Sequence, residues 1–222
     1  MSVPTSLVTG ANRGIGLELC RALAGRGHTV IAVCRASSAE LDRLGVRVER
    51  GVDVADADAL AGLAERLRGT PIDWLVCNAG IARNDSLTSP TLDAVREQFE
   101  VNALGPLRTV RALLPNLRAG AKIALVTSRM GSIADNTSGG YYGYRMSKAA
   151  LNAAGMSLAR DLATKEIAVA LLHPGFVRTD ITDGRGNIDA SEAALQLVER
   201  IDALTPETSG TFWHANGDVL PW

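Results

Sequence analysis

The chain has 222 residues, 46% hydrophobic and 21% charged, with a formal net charge of −1 spread along its length. That length suits one well-buried core, and the near balance of charge argues against a nucleic-acid or anionic-membrane partner. Three cysteines, Cys20, Cys34 and Cys77, lie in apolar or helical stretches without a CxxC or Cys/His cluster, which speaks against a disulfide framework and against a metal site.

The opening MSVPTSLVTGANRG lacks a charged leader followed by an apolar core, and no apolar run is long enough to span a bilayer. The expectation is a soluble, cytoplasmic protein without a transmembrane segment. Short apolar runs at residues 6–8, 29–33, 46–48, 74–77, 122–127 and 167–172 read as buried parallel strands. Between them, residues 14–24, 38–44, 56–67, 91–114 and 144–163 have helical character, and a short strand at 211–214 follows a helix at 191–204. Ser89-Pro90-Thr91 reads as a helix entry, Gly25 and Gly27 as the close of the first helix, and Gly120 as the close of the fourth. Strict alternation of strand and helix predicts an α/β fold: a doubly wound parallel sheet of about seven strands, helices on both faces, and one domain over residues 1–222.

Thr9-Gly10-Ala11-Asn12-Arg13-Gly14-Ile15-Gly16 follows the first strand and opens the first helix. In that context a glycine-rich turn points to a dinucleotide. Gly10 allows the tight turn, Gly14 lets the backbone approach a pyrophosphate, and Gly16 lets helix and strand pack closely. The helix N-terminus then offers amide donors to the anion. A second pattern lies downstream, where Tyr144 and Lys148 stand four residues apart in an Ala- and Leu-rich helical stretch with Gly155 as its weak point. That spacing places phenol and amine on one face, one turn apart.

The three-residue gap between Gly10 and Gly14 resembles the TGxxxGIG motif of the short-chain dehydrogenase/reductase family, a Rossmann-type fold. Asn78-Ala79-Gly80 resembles the family's NNAG, with Cys77 in place of the first Asn. Asn102 in EVNALGP, Ser128 at the end of the fifth strand, the Tyr144/Lys148 pair, and Pro174-Gly175 with Thr179 complete the series in order. The resemblance implies that Ser128, Tyr144, Lys148 and Asn102 are catalytic. It implies a cofactor site built from Gly10, Asn12, Arg13, Gly14, Ile15, Gly16, Arg35, Asp53, Val54, Asn78, Ala79, Gly80, Tyr144, Lys148, Pro174, Gly175, Val177 and Thr179. The YYGYRMSKAALN stretch and the C-terminal segment are most similar to the C-factor-like and sniffer-like carbonyl reductase branch.

At the end of the second strand an NAD-preferring enzyme carries an acid, whereas a basic residue accommodates a 2′-phosphate. Here Cys34 takes the acid's place and Arg35 follows. With Arg13 converging from the glycine turn, the expected cofactor is NADP(H); the alternative is that both arginines are merely solvated. Asp53 matches an adenine-binding position, although a loop acid also forms turns.

Carbonyl reduction needs a hydride at carbon and a proton at oxygen. A cation about 4 Å from a phenol, at an effective dielectric near 20, is worth about 4 kcal/mol, which is about three pKa units. Lys148, helped by the positive nicotinamide of an oxidised cofactor, is therefore expected to bring Tyr144 toward neutrality, where proton transfer is efficient. The resemblance further implies that Lys148 holds the nicotinamide ribose, Asn102 a relay water, and Ser128 the substrate oxygen. Tyr141 and Tyr142 lack a lysine four residues on, and His28, His173 and His214 have no part in this scheme.

The segment 180–187, where the family places a substrate lid, is short and polar, which predicts an open pocket. Met130, Ile133 and Phe176 are either its apolar walls or core residues. A terminal Leu220-Pro221-Trp222 is expected to pack on the chain's own pocket rim or on a second subunit. The leading expectation is an NADPH-dependent carbonyl reductase acting on a small-molecule carbonyl or alcohol, as a homodimer or homotetramer. The alternative is a cofactor-binding signalling or redox-sensing protein with little turnover.

Overall fold

The computed structural model describes residues 3–88 and 91–222; Ser89 and Pro90 of the expected helix entry lie outside the described residues. Seven parallel strands form one sheet among the described residues, in the order β3-β2-β1-β4-β5-β6-β7. They are β1 (Thr5–Thr9), β2 (Thr29–Val33), β3 (Arg47–Glu49), β4 (Ile72–Cys77), β5 (Leu117–Val126), β6 (Ala168–His173) and β7 (Phe212–His214). The helices are α1 (Gly14–Gly25), α2 (Ala39–Asp42), α3 (Ala57–Arg66), α4 (Leu92–Phe99), α5 (Gly105–Leu113), α6 (Tyr142–Asp161) and α7 (Ala190–Asp202). This is the expected doubly wound, Rossmann-type architecture.

The strand period of two divides the core. Val8, Ala32, Val76, Ala124 and Leu172 face α1 and α7, where they meet Leu19, Leu23, Leu197 and Ile201. Leu7, Ile31, Leu75, Ile123 and Val169 face the other way, onto Leu60 and Leu63 of α3, Val110 and Leu113 of α5, and Leu151 of α6. Each fully buried Val, Leu or Ile among these contributes about 1.5–3 kcal/mol of hydrophobic stabilisation, so the two-sided burial fixes register and helix placement together.

Three boundaries differ from expectation for physical reasons. The helix expected over 91–114 is interrupted by a π-helical turn, Glu100–Leu104, between α4 and α5. Gly120 does not close that helix: β5 starts at Leu117, paired with Ile72, and Gly120 sits in its irregular lead-in at φ +83°. The helix at residues 38–44 shortens to one turn, capped by Ser38, whose side chain accepts from the Leu41 amide. Gly155, the apparent weak point of α6, is where that helix comes closest to the sheet: a Cβ there would lie 2.6 Å from Leu171 Cδ2 and 2.8 Å from Leu125 Cδ1.

Candidate active site

The turn after β1 and the end of β4 meet where the strand order reverses, the position at which open α/β sheets bind ligands. Thr9 holds this junction. Its buried hydroxyl accepts from the Asn78 and Ala79 amides at 3.1 and 3.2 Å. Asn78 Nδ2 in turn donates to the Thr9 and Gly10 carbonyls at 3.1 and 3.3 Å. Gly10 has φ +66°, and a Cβ on it would meet Ala79 Cα at 2.8 Å; one on Gly16 would lie 2.1 Å from the Gly10 carbonyl oxygen. Gly14 faces the Thr179 methyl, 3.4 Å from where its own Cβ would stand. Arg13, the N-cap of α1, makes no side-chain cap, so no capping side chain competes for the first-turn amides.

Each of the two arginines pairs with an acid. Arg13 Nη1 donates to Asp180 at 2.7 Å, and Arg35 Nη1 stands 3.7 Å from Asp53. Both pairs are largely exposed, and such pairs contribute about 0–1 kcal/mol. Asp53 also accepts from the Ala55 amide at 2.9 Å through its other oxygen, which gives it a turn-forming role. Val54 and Val177 are buried, Ile15 packs on the core, and Asn12 is half-buried. Pro174 and Gly175 follow β6 directly, and Val177 bridges to Ile188.

Ser128 leaves the end of β5 with its side chain buried, and its Oγ accepts from the Met130 amide at 3.1 Å. It also faces Tyr144, on the first turns of α6. Burial pushes the Tyr144 phenol above its ordinary value, opposed by the neighbouring Ser128 hydroxyl. In the chain by itself the phenol is therefore raised, where the expectation had Lys148 and an oxidised nicotinamide together lowering it. The Lys148 ammonium donates to the Val126 carbonyl at 2.9 Å and stands 5.8 Å from the centre of the Tyr144 ring. Burial brings the amine down to about 8. Gly80 keeps room between the groups: a Cβ there would lie 3.2 Å from Asn102 Oδ1 and 3.6 Å from Lys148 Nζ.

Asn102 lies in the π-helical turn, fully buried. Its Oδ1 accepts from the Ile81 amide at 2.8 Å, while Nδ2 donates to the Ile81 carbonyl at 2.8 Å and to Ser147 Oγ at 3.0 Å. Ser147 Oγ donates to the Tyr144 carbonyl at 2.8 Å. The side chain thereby ties the loop after β4 to the turn of α6 that carries the tyrosine.

Sequence reasoning missed Asp85, Gln98 and Ser147. Asp85 is buried, accepts from the Gly143 amide at 2.8 Å, and so serves as a cap for α6, whose own N-cap Tyr141 provides none. Gln98 Oε1 accepts from the Arg83 amide at 2.9 Å, and its amide packs against Gly143. No local signal marks the contacts that tie these residues to Gly143, Arg83 and Asn102, because those partners lie far away in sequence. Of the proposed pocket walls, Ile133 is 81% and Phe176 50% exposed, so neither is core. Trp222 lies on the chain itself: its carbonyl accepts from the Ala134 amide at 2.9 Å, and its ring stacks on Phe212 with centroids 5.5 Å apart.

A parallel sheet with a glycine turn at its switch point, and a serine, tyrosine and lysine gathered beside it, defines an α/β oxidoreductase of the dinucleotide-dependent class. The chain belongs to the short-chain dehydrogenase family, whose model matches residues 4–190. It is 46% identical to a 1-hydroxy-2-glutathionyl-2-methyl-3-butene dehydrogenase of Rhodococcus sp., over 98% of this chain and 99% of that one. To the C-signal protein of Myxococcus xanthus it is 44% identical, over 68% of this chain and 93% of that one. Among solved structures it resembles the carbonyl reductase Sniffer of D. melanogaster (TM-score 0.94, 30% identity) and an NADPH-bound carbonyl reductase from chicken fatty liver (TM-score 0.90, 29% identity), each covering 100% of both chains. No helix among the described residues is long and apolar enough to cross a membrane.

Proposed function

We propose that this chain is an NADPH-dependent carbonyl reductase in which Tyr144 gives the proton and Ser128 holds the substrate oxygen. The observation that carries the reading is the Tyr144 phenol beside the buried Ser128 hydroxyl, with the Lys148 ammonium over the same ring. A phenol pushed up by burial is protonated at neutral pH, which is the form a reductase needs to neutralise a developing alkoxide. Ser128 donates to that alkoxide as it forms. Lys148 lies where its charge favours the tyrosinate left after transfer.

The glycine turn fits a pyrophosphate, since the first-turn amides of α1 have no side-chain cap. When bound, the nicotinamide supplies the hydride. Gly10, Asn12, Gly14, Ile15 and Gly16 would hold the diphosphate, Asn78, Ala79 and Gly80 with Asp53 and Val54 the adenosine side, and Lys148 with Pro174, Gly175, Val177 and Thr179 the nicotinamide side. The weak ion pairs of Arg13 and Arg35 would be exchanged for a 2′-phosphate, a stronger partner for guanidinium than an exposed carboxylate. NADPH bound to the chicken relative supports the same choice.

The measurement is NADPH oxidation against a panel of aldehydes, ketones and quinones. We expect turnover with NADPH preferred over NADH, and a loss of about 10² or more in kcat for Tyr144→Phe. NADPH binding without turnover, and no effect of Tyr144→Phe, would leave the signalling reading suggested by the likeness to C-signal. A second reading within the family, oxidation of a bulky alcohol, is favoured by the 46% identity to the glutathionyl-butene dehydrogenase and is tested in the same assay run with NADP and alcohols.

A further inference from the structure

Arg145 sits between Tyr144 and the rest of α6, and the scheme above gives it no role. Its side chain makes four hydrogen bonds, all to neutral oxygens. Nε donates to the Gly140 carbonyl at 3.1 Å, and Nη2 to Ser138 Oγ at 2.9 Å and the Gly139 carbonyl at 3.4 Å. Nη1 donates to the Met130 carbonyl at 3.4 Å. Met130 belongs to the turn Arg129–Gly131 that directly follows Ser128, whereas residues 138–140 lead into α6. One guanidinium therefore joins the two ends of the segment that runs from the serine to the tyrosine.

That segment needs an external tie. Gly139 and Gly140 both take positive φ, and Tyr141 enters the helix at φ +51°, a strained conformation for a side chain with a Cβ. Outside the helix, Asp85 fixes the entry, its carbonyl accepting from the Tyr141 amide at 3.1 Å and its carboxylate from the Gly143 amide at 2.8 Å. Inside, Arg145 does so. Met130 and Ile133 line a groove of about 250 Å³ with Asn136, Arg145, Met146 and Ala149, so the clamp also fixes this groove relative to the helix turn that carries the phenol.

We propose that Arg145 is a positioning residue for substrate, locking the 130–140 segment to the helix that carries Tyr144; this rests on the reductase reading above. A planar fork is required, because one rigid group must reach Met130 on one side and 138–140 on the other. A lysine ammonium is a point donor on a flexible stem and reaches one side only.

Arg145→Ala and Arg145→Lys are compared with the wild-type full chain in two measurements. In steady-state reduction by NADPH of acetaldehyde and of acetophenone, we expect KM for acetophenone to rise about tenfold in both variants, the effect of losing an interaction of ordinary charged hydrogen-bond strength. We expect kcat for acetaldehyde and the Kd of NADPH to stay at wild-type values. In amide hydrogen exchange, residues 136–141 are expected to lose protection in both variants while β5 and β6 keep theirs. Wild-type KM in Arg145→Lys overturns the proposal, since charge alone would then suffice. So does a fall in kcat for both substrates at unchanged KM, or unaltered exchange at 136–141. If Arg145→Ala fails to fold, Arg145→Lys alone carries both measurements. Should the wild type reduce neither carbonyl, it is the reductase reading that fails, and the exchange result still decides whether the clamp exists.

Discussion

His173 ends β6 with its ring in edge contact with His214, centroids 4.9 Å apart, and its Nδ1 buried without a hydrogen-bond partner. Burial, then the neighbouring His214 and Arg129, hold the imidazole neutral, with its pKa down to about 3. The unfolded chain, with an ordinary histidine near 6.5, binds more protons than the folded one between these values. The stability that the neutral ring contributes is therefore complete above pH 6.5 and lost as pH falls toward 3. Going from pH 7 to 5 should remove about 2 kcal/mol, at about 1.36 kcal/mol per unit. Urea unfolding at both pH values checks this: the loss should be smaller in His173→Gln, and an equal loss in variant and wild type would assign it to other groups. Lys148 follows the same logic on the alkaline side. Its depressed pKa means that stability rises with pH from about 8 toward 10.5, as the unfolded lysine alone stays protonated.

Among the elements, α1 and its turn show how tightly sequence fixes local geometry. Gly16→Ala puts a methyl 2.1 Å from the Gly10 carbonyl oxygen, backbone that cannot swing aside. A cost of about 2–4 kcal/mol is expected, in the range of severe overpacking. Gly25, at the other end of the same helix, has nothing within 4 Å of its Cβ position and no positive φ. Gly25→Ala should instead gain about 0.5–1 kcal/mol from helix propensity and a stiffer unfolded chain. Urea midpoints of the two variants give the contrast directly, and equal shifts would refute it. Such local features were legible beforehand: the strands read from their β-branched runs, Gly10 and Gly16 and the Tyr144/Lys148 pair from spacing, and Asn78 and Ser128 only through the family resemblance. The π-helical turn was not: Gly105-Pro106 marks a new helical start directly after it, yet the pattern of residues 91–114 reads as one helix. Nor were Asp85 and Gln98, whose partners at Gly143 lie 58 and 45 positions along the chain, where no periodicity reports on them. The arginines were legible only in part. Their position in the chain is plain, yet the acids that claim them, Asp180 and Asp53, sit on other loops.

At the scale of the whole molecule, the alternation that splits the core between two helix layers leaves the outer faces of α4, α5 and α6 without a cover. Leu92, Leu107, Tyr142 and Met146 are exposed on these helices, at 62%, 40%, 40% and 51%. The same layer carries the Tyr144 turn of α6, pressed from behind by α4 and the π-helical turn through Gln98 and Asn102. Pairing of two copies through this layer would bury apolar side chains that now face water and would brace the helix that presents the tyrosine. An oligomer is therefore expected, with sedimentation equilibrium giving an integer multiple of the 23.3 kDa chain mass. Leu107→Asp or Met146→Asp places a charge in that layer and should shift the protein to the single-chain mass with its folded circular dichroism retained, because neither side chain belongs to the core. A wild-type mass of 23.3 kDa across the micromolar range would sink the idea. In that case the helix that carries Tyr144 is braced by its own chain alone, through Asn102, Asp85 and Arg145.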